Sequence, residues 1–355
     1  MKVRNRLLFL CLVTVVGAGL LVAQEYFDKS STRTFDFVYR TTINEIESGS
    51  PIHVFLPIPV ENEQQSVEIL SIKNSFDGDT SLKASIEQES IYGNQYWHAE
   101  IPSSDDAPIE IEAIYRVTRH VNQIEPVNVS RGLNDGEIKQ MDLYLKENSR
   151  VVVGHPILEP ILGEIDESLP GDTRGNSAAL AKGIYDWIVD NIEYKKIGTG
   201  WGNGDTFWAC NERYGNCTDF HSLFISLART KGVPARFDMG FPVPTDRPEG
   251  NISGYHCWMN FYLPETGWFP VDASEAFKHP EKRELYYGTQ PLDRIHFSTG
   301  RDLKLGPNHK DRPLNYFIYP YVEVDGVRYE GSIESSFSYR DLVPNDKFLS
   351  SNDPI

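Results

Sequence analysis

Few features restrict a chain more than a cysteine at the start of a helix that must also pack into a core. The stretch from Tyr214 to Arg236 reads Tyr-Gly-Asn-Cys-Thr-Asp-Phe-His-Ser-Leu-Phe-Ile-Ser-Leu-Ala-Arg-Thr-Lys-Gly-Val-Pro-Ala-Arg. Phe220, Leu223, Phe224, Leu227 and Ala228 recur at three- and four-residue steps, which predicts a core-facing helix over about 217–230. Gly232 stops it, Pro234 prevents continuation, and Gly215 and Asn216 suit a sharp turn into Cys217. At that first turn, unpaired N–H groups and the positive end of the helix dipole favour a thiolate over a thiol. Such a cysteine is prepared to act as a nucleophile, and a nucleophile needs a base and a group to orient that base.

Both are found shortly downstream. Tyr255 to Leu263 is rich in strand formers, Pro264-Glu265-Thr266-Gly267 is a turn, and Trp268-Phe269-Pro270-Val271-Asp272 is a second strand. The hairpin returns Asp272 to within one or two rungs of His256. A buried carboxylate there fixes the imidazole tautomer and stabilises the imidazolium of a Cys–His ion pair. Alternation along the strand places His256 on the face of Trp258 and turns Cys257 to the opposite face, away from the site.

Gly-Asn-Cys opening a helix, Gly-Val-Pro-Ala-Arg closing it, His-Cys-Trp on one strand and Gly-Trp-Phe-Pro-Val-Asp on the next resemble the transglutaminase-like superfamily over about 177–277. The wording around Cys217 and the Val-Asp-Ala-Ser-Glu-Ala ending are most similar to its secreted bacterial members. The resemblance implies a papain-like α+β core, with helices packed on an antiparallel sheet. By it, Cys217 is the nucleophile, His256 the base and Asp272 the orienting acid, with no cofactor and no metal. Family activities include amide cross-linking, deamidation, peptide or amide hydrolysis and deglycosylation. In animal members a tryptophan upstream of the cysteine helps bind the oxyanion. Trp201 and Trp208 lie upstream here but match no such motif, so the second oxyanion donor stays unassigned.

The leader sets the compartment. Lys2, Arg4 and Arg6 precede the apolar run Leu7–Ala23, so residues 1–23 read as a signal peptide or an uncleaved anchor to the inner membrane. Leu8-Phe9-Leu10-Cys11 is a poor lipidation box. Export leaves Cys210, Cys217 and Cys257, an odd number in an oxidising compartment. The triad makes Cys217 the free thiol, and Cys210 and Cys257 are either a pair or two buried thiols. A zinc site from Cys210, Cys217, His256 and Cys257 is disfavoured, because the spacings form no knuckle. Asn128, Asn216 and Asn251 head glycosylation triplets; a glycan on Asn216 would block the nucleophile, which favours a bacterial periplasm or envelope. The net charge of −17 becomes −20 without the leader's three cations, 31 basic against 51 acidic residues, which argues against a nucleic-acid partner.

Residues 32–121 alternate and are punctuated by turn formers, with strands expected at 34–39, 52–56, 67–72, 95–101 and 109–115; they read as an N-terminal β-sandwich domain. Residues 122–176 form a connecting region with short helices around 155–165. A catalytic domain over 177–345 follows, in which Asn176 or Ser177 caps a helix with a stripe of Leu180, Ile184, Trp187, Ile188 and Ile192. Strands near 316–324 and 327–329 are expected to form a terminal hairpin completing the catalytic sheet. Gly198 to Asp205 reads as a flexible stretch beside the site, and 241–250 as a lid or specificity loop. His221, one turn beyond Cys217, reads as an ordinary buried or surface helix residue.

These features together predict acyl transfer through a thioester on a protein or peptide substrate, with hydrolysis (peptidase or amidase) preferred to cross-linking because water is the default acceptor. The alternatives are a protein-glutamine transglutaminase or deamidase, and a non-catalytic envelope scaffold that binds through its β domain. Oligomeric state is not legible.

Overall fold

Two long strands with strict inside–outside alternation found the architecture. Thr32–Ile43 (β1) buries Phe35, Phe37, Tyr39, Thr41 and Ile43 on one face, and Ile109–His120 (β6) buries Ile109, Ile111, Ala113, Tyr115 and Val117. The two pair antiparallel with Phe37 opposite Tyr115, which fuses the two apolar faces. In the computed structural model, which describes residues 32–342 apart from 45, 77–82, 103, 106, 129 and 174, these strands anchor one of two five-stranded antiparallel sheets. The leader read at 1–23 lies outside the described residues.

The strands between them are Ile52–Pro57 (β2), Gln65–Asn74 (β3), Lys83–Gln88 (β4) and Gln95–Ile101 (β5). Later in the chain come Ala235–Pro242 (β7), Glu249–Ile252 (β8), His256–Leu263 (β9), Gly267–Val271 (β10), Arg294–Thr299 (β11), Tyr321–Val324 (β12), Val327–Arg328 (β13) and Ile333–Asp341 (β14). One large sheet runs β8-β14-β1-β6-β3, the other β13-β12-β2-β5-β4, and a four-stranded sheet runs β10-β9-β7-β11.

The expected terminal hairpin does form, but it does not complete the catalytic sheet. β12 pairs with β2, and β14 pairs along its whole length with β1. The sandwich is therefore built from both ends of the chain, and the expected division at 121 and 177 does not separate its strands. Edges of β1 and β2 that would otherwise expose unpaired backbone are closed by segments almost three hundred residues away, a partnership that local pattern does not encode. β4 carries no apolar face, since nearly every residue in it is exposed, so no periodicity announced it.

One hydrophobic core runs through the sandwich and the helical layer. Phe241 of β7 packs against Phe37, Phe297 and Phe337, with ring centres 4.2–5.5 Å apart. The helix Ser177–Asn191, capped by the Asn176 side chain, buries Ala181, Ile184, Tyr185 and Ile188 and packs beside the helix Cys217–Thr230. Trp187 is buried too, its indole N–H bonded to Glu164 at 2.8 Å.

Candidate functional site

Cys217 is the first residue of the cysteine helix, Cys217–Thr230, and is buried. The turn before it is closed by a capping box: Asn216 Oδ1 accepts from Thr218 N at 2.8 Å, and Asp219 Oδ2 accepts from Asn216 N at 2.9 Å. Gly215 is needed for close approach, because a Cβ there would sit 2.2 Å from Asp219 Oδ2. Asp219 also accepts the N–H groups of Gly202 and Gly204, at 2.7 and 3.0 Å, and Arg301 binds the carbonyls of Asn203 and Gly204. The glycine-rich stretch that reads as flexible is thus tied to the cap of the Cys217 helix. Trp201 and Trp208 both spend their indole N–H on backbone carbonyls, of Gly198 and Tyr214, so neither is a free oxyanion donor. Asn216 is buried and bonded to Tyr255 Oη, which closes it to a glycan.

His256 begins β9, and Asp272 follows the last residue of β10. The register Met259 opposite Val271, carried on by one pair, sets Asp272 beside Trp258, two residues along from His256. His256 Nε2 meets Asp272 Oδ2 at 2.6 Å, and Cys217 lies within hydrogen-bonding reach of His256. With Nε2 engaged by the carboxylate, Nδ1 is the nitrogen left for the sulfur. Asp272 doubles as cap of the helix Ala273–Lys278, its Oδ1 accepting from Glu275 N and the Ser274 hydroxyl at 2.9 and 3.0 Å. The three expected residues therefore converge.

Three further residues join them. Arg294, at the start of β11, pairs with Asp272 Oδ2 and places Nη2 3.4 Å from His256 Nε2. His221 is fully buried, and its Nε2 accepts the Ala273 N–H at 3.1 Å. Cys257 is a free thiol that turns to the face opposite His256, as expected, and there meets the cysteine helix, 3.6 Å from His221 Nδ1 and 3.7 Å from Thr218 Oγ1. Cys257 does face the helix side of the sheet with Met259 and Phe261, while His256 faces Trp258. Cys210 is also a free, buried thiol, so no disulfide joins it to Cys257.

Electrostatics follow from this packing. Burial opposes ionising Cys217, but hydrogen bonds from Cys257 and His256 outweigh it and hold the thiol well below its ordinary range. Burial likewise disfavours the imidazolium of His256, yet the charge and hydrogen bond of Asp272 push it up to about 9. Asp272 itself is held well below the usual carboxylate range, because the charges of His256 and Arg294 overcome burial. His221 has no such support; burial drives it down to about 4, so it is neutral at pH 7. Its 3.6 Å approach to Asp272 Oδ1 is accordingly not an ion pair, since Nε2 is already accepting from Ala273. Cys257 is raised well above its ordinary range by burial and by hydrogen bonding to Cys217, and stays a thiol.

Tyr255 packs against Tyr316 in a tilted arrangement and edge-to-face against Tyr319, with ring centres 5.9 and 6.1 Å apart, on the side of the site near Cys217. The segment read as a lid is fastened to the sandwich: the carbonyls of Val243 and Pro244 bind Arg33, and Pro248 O accepts from Asp341 N. His296 is buried and bonded to Asn62 and Ser298 O, whereas His279 is half-buried and lies 3.7 Å from Glu275 Oε2 and 3.6 Å from Glu281 Oε1.

Comparison with known proteins bears on the fold that holds these residues. The sequence profile of the transglutaminase-like superfamily matches residues 169–273, which contain all three convergent residues. An uncharacterised Haemophilus influenzae protein is 25% identical over 347 residues, covering 87% of this chain and 89% of the relative. The uncharacterised Bacillus subtilis protein YebA is 30% identical over 77 residues, 19% of this chain and 10% of YebA. Among solved structures, one from Cytophaga hutchinsonii, described without confirmed activity as a cysteine protease, superposes with a TM-score of 0.56 at 17% identity. It covers 88% of this chain and 92% of its own, and establishes the shared fold.

Proposed function

We propose that this chain, whose residues 169–273 form a transglutaminase-like core, is a cysteine-dependent enzyme that transfers acyl groups from peptide or amide bonds through a thioester on Cys217. The observation that carries this reading is the convergence of Cys217, His256 and Asp272 at a helix N-terminus, with the thiol held low and the imidazole held high.

In the resting pair, His256 carries a proton and Cys217 a negative charge. The thiolate attacks the amide carbonyl carbon, forming the C–S bond, and the oxyanion is met by the Cys217 N–H, one of the first-turn amides that a helix leaves unpaired. As the C–N bond breaks, His256 gives its proton to the departing amine. It then takes a proton from water or from an acceptor amine attacking the thioester, and the Cys217 thiolate is released. Asp272, fixed by Arg294 and by its capping bonds, keeps the imidazole in one orientation through both half-reactions.

Hydrolysis and cross-linking differ only in the second nucleophile, and water is our preferred acceptor. The substrate is a protein or peptide, encountered outside the cytoplasm if the leader is read correctly. Two measurements test these statements. Iodoacetamide alkylation of Cys217 against pH should proceed far below the ordinary thiol pKa of ~8.5 and lose that acid reactivity in His256→Ala. Free-thiol titration in both proteins would end the catalytic reading. A glutamine peptide with a labelled primary amine then separates outcomes: cleaved peptide or free acid supports hydrolysis, and amine incorporation replaces it by cross-linking.

A further inference from the structure

β14 is longer than the strand that covers it. On one side, all of Ile333–Asp341 is paired with β1. On the other, β8 pairs only with Phe337 to Arg340, ending with Ile252 opposite Phe337, and the chain then turns off through Ser253, Gly254 and Tyr255 to His256. The direction of each backbone group on β14 follows from three bonds. Asn44 N donates to Ser332 O and Leu342 N to Thr34 O, so the even-numbered residues carry the bonds to β1. Asp341 N donates to Pro248 O, so the odd-numbered residues face β8. Ser335 therefore turns its N–H and C=O to the uncovered edge, and among the described residues neither is bonded.

Residues directly opposite each other in such a pair send their side chains to the same face. Ile252 and Phe337 show which face this is, since both are buried inside the sandwich. A strand continuing the line of β8 would put its residue opposite Ser335 on that inner face and turn the two neighbours to solvent. The inner position is hollow there. A pocket of about 370 Å³ is lined by Ile333 and Ser335 of β14, by Arg328 of β13 in the other sheet, and by the rings of Tyr319 and Tyr329. Tyr319, 39% exposed, links this edge to the cysteine helix: its ring centre lies 6.0 Å from that of Phe337 and 6.1 Å from that of Tyr255. Tyr255 Oη accepts from Asn216 Nδ2 at 2.9 Å and meets Thr218 Oγ1 at 3.2 Å, and these are the residues on either side of Cys217.

We propose that the free edge of β14 at Ser335 is a substrate-binding subsite: an extended peptide adds to it as a strand, exchanges both backbone hydrogen bonds with Ser335, lodges one apolar side chain in the pocket, and runs past Tyr319 to Cys217. This deepens the proposed acyl transfer and rests on it. Main-chain bonds give such an addition affinity whatever the sequence, and the pocket selects at one position. The sandwich then presents substrate to the catalytic sheet. A second copy of the chain is a poorer occupant, because each copy carries a net charge of −17 and repels the other.

Amide hydrogen exchange at Ser335 reads the edge directly. In full-length Cys217→Ala, which binds without turnover, a trypsin digest of casein at about ten times its half-saturating concentration should slow that exchange roughly tenfold. Unchanged exchange overturns the proposal. So does an amide already protected without peptide, because the edge would then be filled by the chain's own segment or by another copy. Ser335→Pro tests the same edge by mutation. This N–H bonds to nothing within the fold, so proline breaks no ladder bond, yet it removes the donor and obstructs the edge. The digest concentration that half-protects Cys217 from iodoacetamide should rise about tenfold in Ser335→Pro and stay unchanged in Ser335→Ala, which keeps the donor. Equal effects of alanine and proline, or no effect of proline in a variant whose circular dichroism matches the unmutated protein, overturn strand addition. Failure of the catalytic reading looks different, because Cys217 of the unmutated protein would then titrate like a free thiol.

Discussion

Replacing Arg294 by glutamine pulls apart two effects that the wild-type site combines. The guanidinium is a partner to Asp272, which steadies the fold, and at the same time a like charge beside the imidazolium, with Nη2 3.4 Å from His256 Nε2. Two unit charges ~4 Å apart interact by about 4 kcal/mol at an effective dielectric of ~20, and about 1.4 kcal/mol moves a pKa by one unit. Asp272 and Asp293, both paired with Arg294, cancel most of that repulsion. We therefore expect the His256 pKa to rise above its wild-type value of about 9 by roughly half to one unit. Stability should move the other way, since breaking a buried ion pair costs about 3–5 kcal/mol, and the glutamine amide keeps the loss near the lower figure.

Both are measurable in one preparation. Histidine labelled at Cε1 gives a resonance for His256, assigned with His256→Ala, that can be followed against pH. Urea unfolding gives the stability difference. Asp272 has a depressed pKa in the folded state, so its contribution is present above the unfolded carboxylate value of ~3.9 and is lost as pH falls through the folded one. The stability gap between wild type and Arg294→Gln should accordingly be full at pH 7 and narrow below about pH 4. A His256 pKa that falls in the variant would refute the reasoning, because it would mean that Asp272 stays ionised only with Arg294 beside it, and not with His256 alone.

Three further outcomes follow from the packing. Gly240→Ala puts a Cβ 1.8 Å from the Ile295 carbonyl oxygen, at the bulge where β7 meets β11, and backbone cannot yield as a side chain would; a loss of about 3 kcal/mol in urea unfolding is expected, with slower Cys217 alkylation because Gly240 also pairs with His256. Phe241→Ala empties the aromatic cluster joining sandwich and catalytic sheet, at about 3–5 kcal/mol, and unfolding should remain one transition by fluorescence and circular dichroism; separate melting of the sandwich would contradict a shared core. Asp219→Asn turns an amide against N–H donors and should speed hydrogen exchange at Gly202 and Gly204, leaving the global midpoint within about 1 kcal/mol because a buried charge is removed as well; unchanged exchange at both glycines would show that another group holds the loop.

What could be read from the sequence, and what could not, divides along the range of the forces involved. The cysteine helix was legible because its signals are local: a 3.6-residue apolar period, a cap before it and Gly232 after it. The His256–Asp272 pairing was legible because one hairpin links them, and a hairpin's register tolerates little error when one face is buried. Arg294 was not, since 22 residues and a helix separate it from Asp272, and an arginine opening an apolar strand resembles any other strand boundary. The closure of the sandwich by β12 and β14 failed for the same reason at longer range.

Cys257 is the more instructive residue, because the alternation rule applied to it holds and still leaves it packed against the cysteine helix. Adjacent residues on a strand do project to opposite faces, and His256 and Cys257 do. The inference that only one of them can touch a given atom holds in the middle of a sheet, where the sheet itself lies between the two faces. His256 is the first residue of β9 and Cys217 the first of the cysteine helix, and from the opposite face Cys257 reaches that helix one turn further on, at Thr218 and His221. A cysteine at a helix N-terminus and a histidine at a strand N-terminus are brought together at this edge. The site that results has a charged side, His256 with Asp272 and Arg294, and a neutral side, Cys257 with His221. Burial is common to the two histidines and the partner at Nε2 distinguishes them: with a carboxylate hydrogen-bonded there the imidazole is held charged, and with a backbone N–H there it is held neutral.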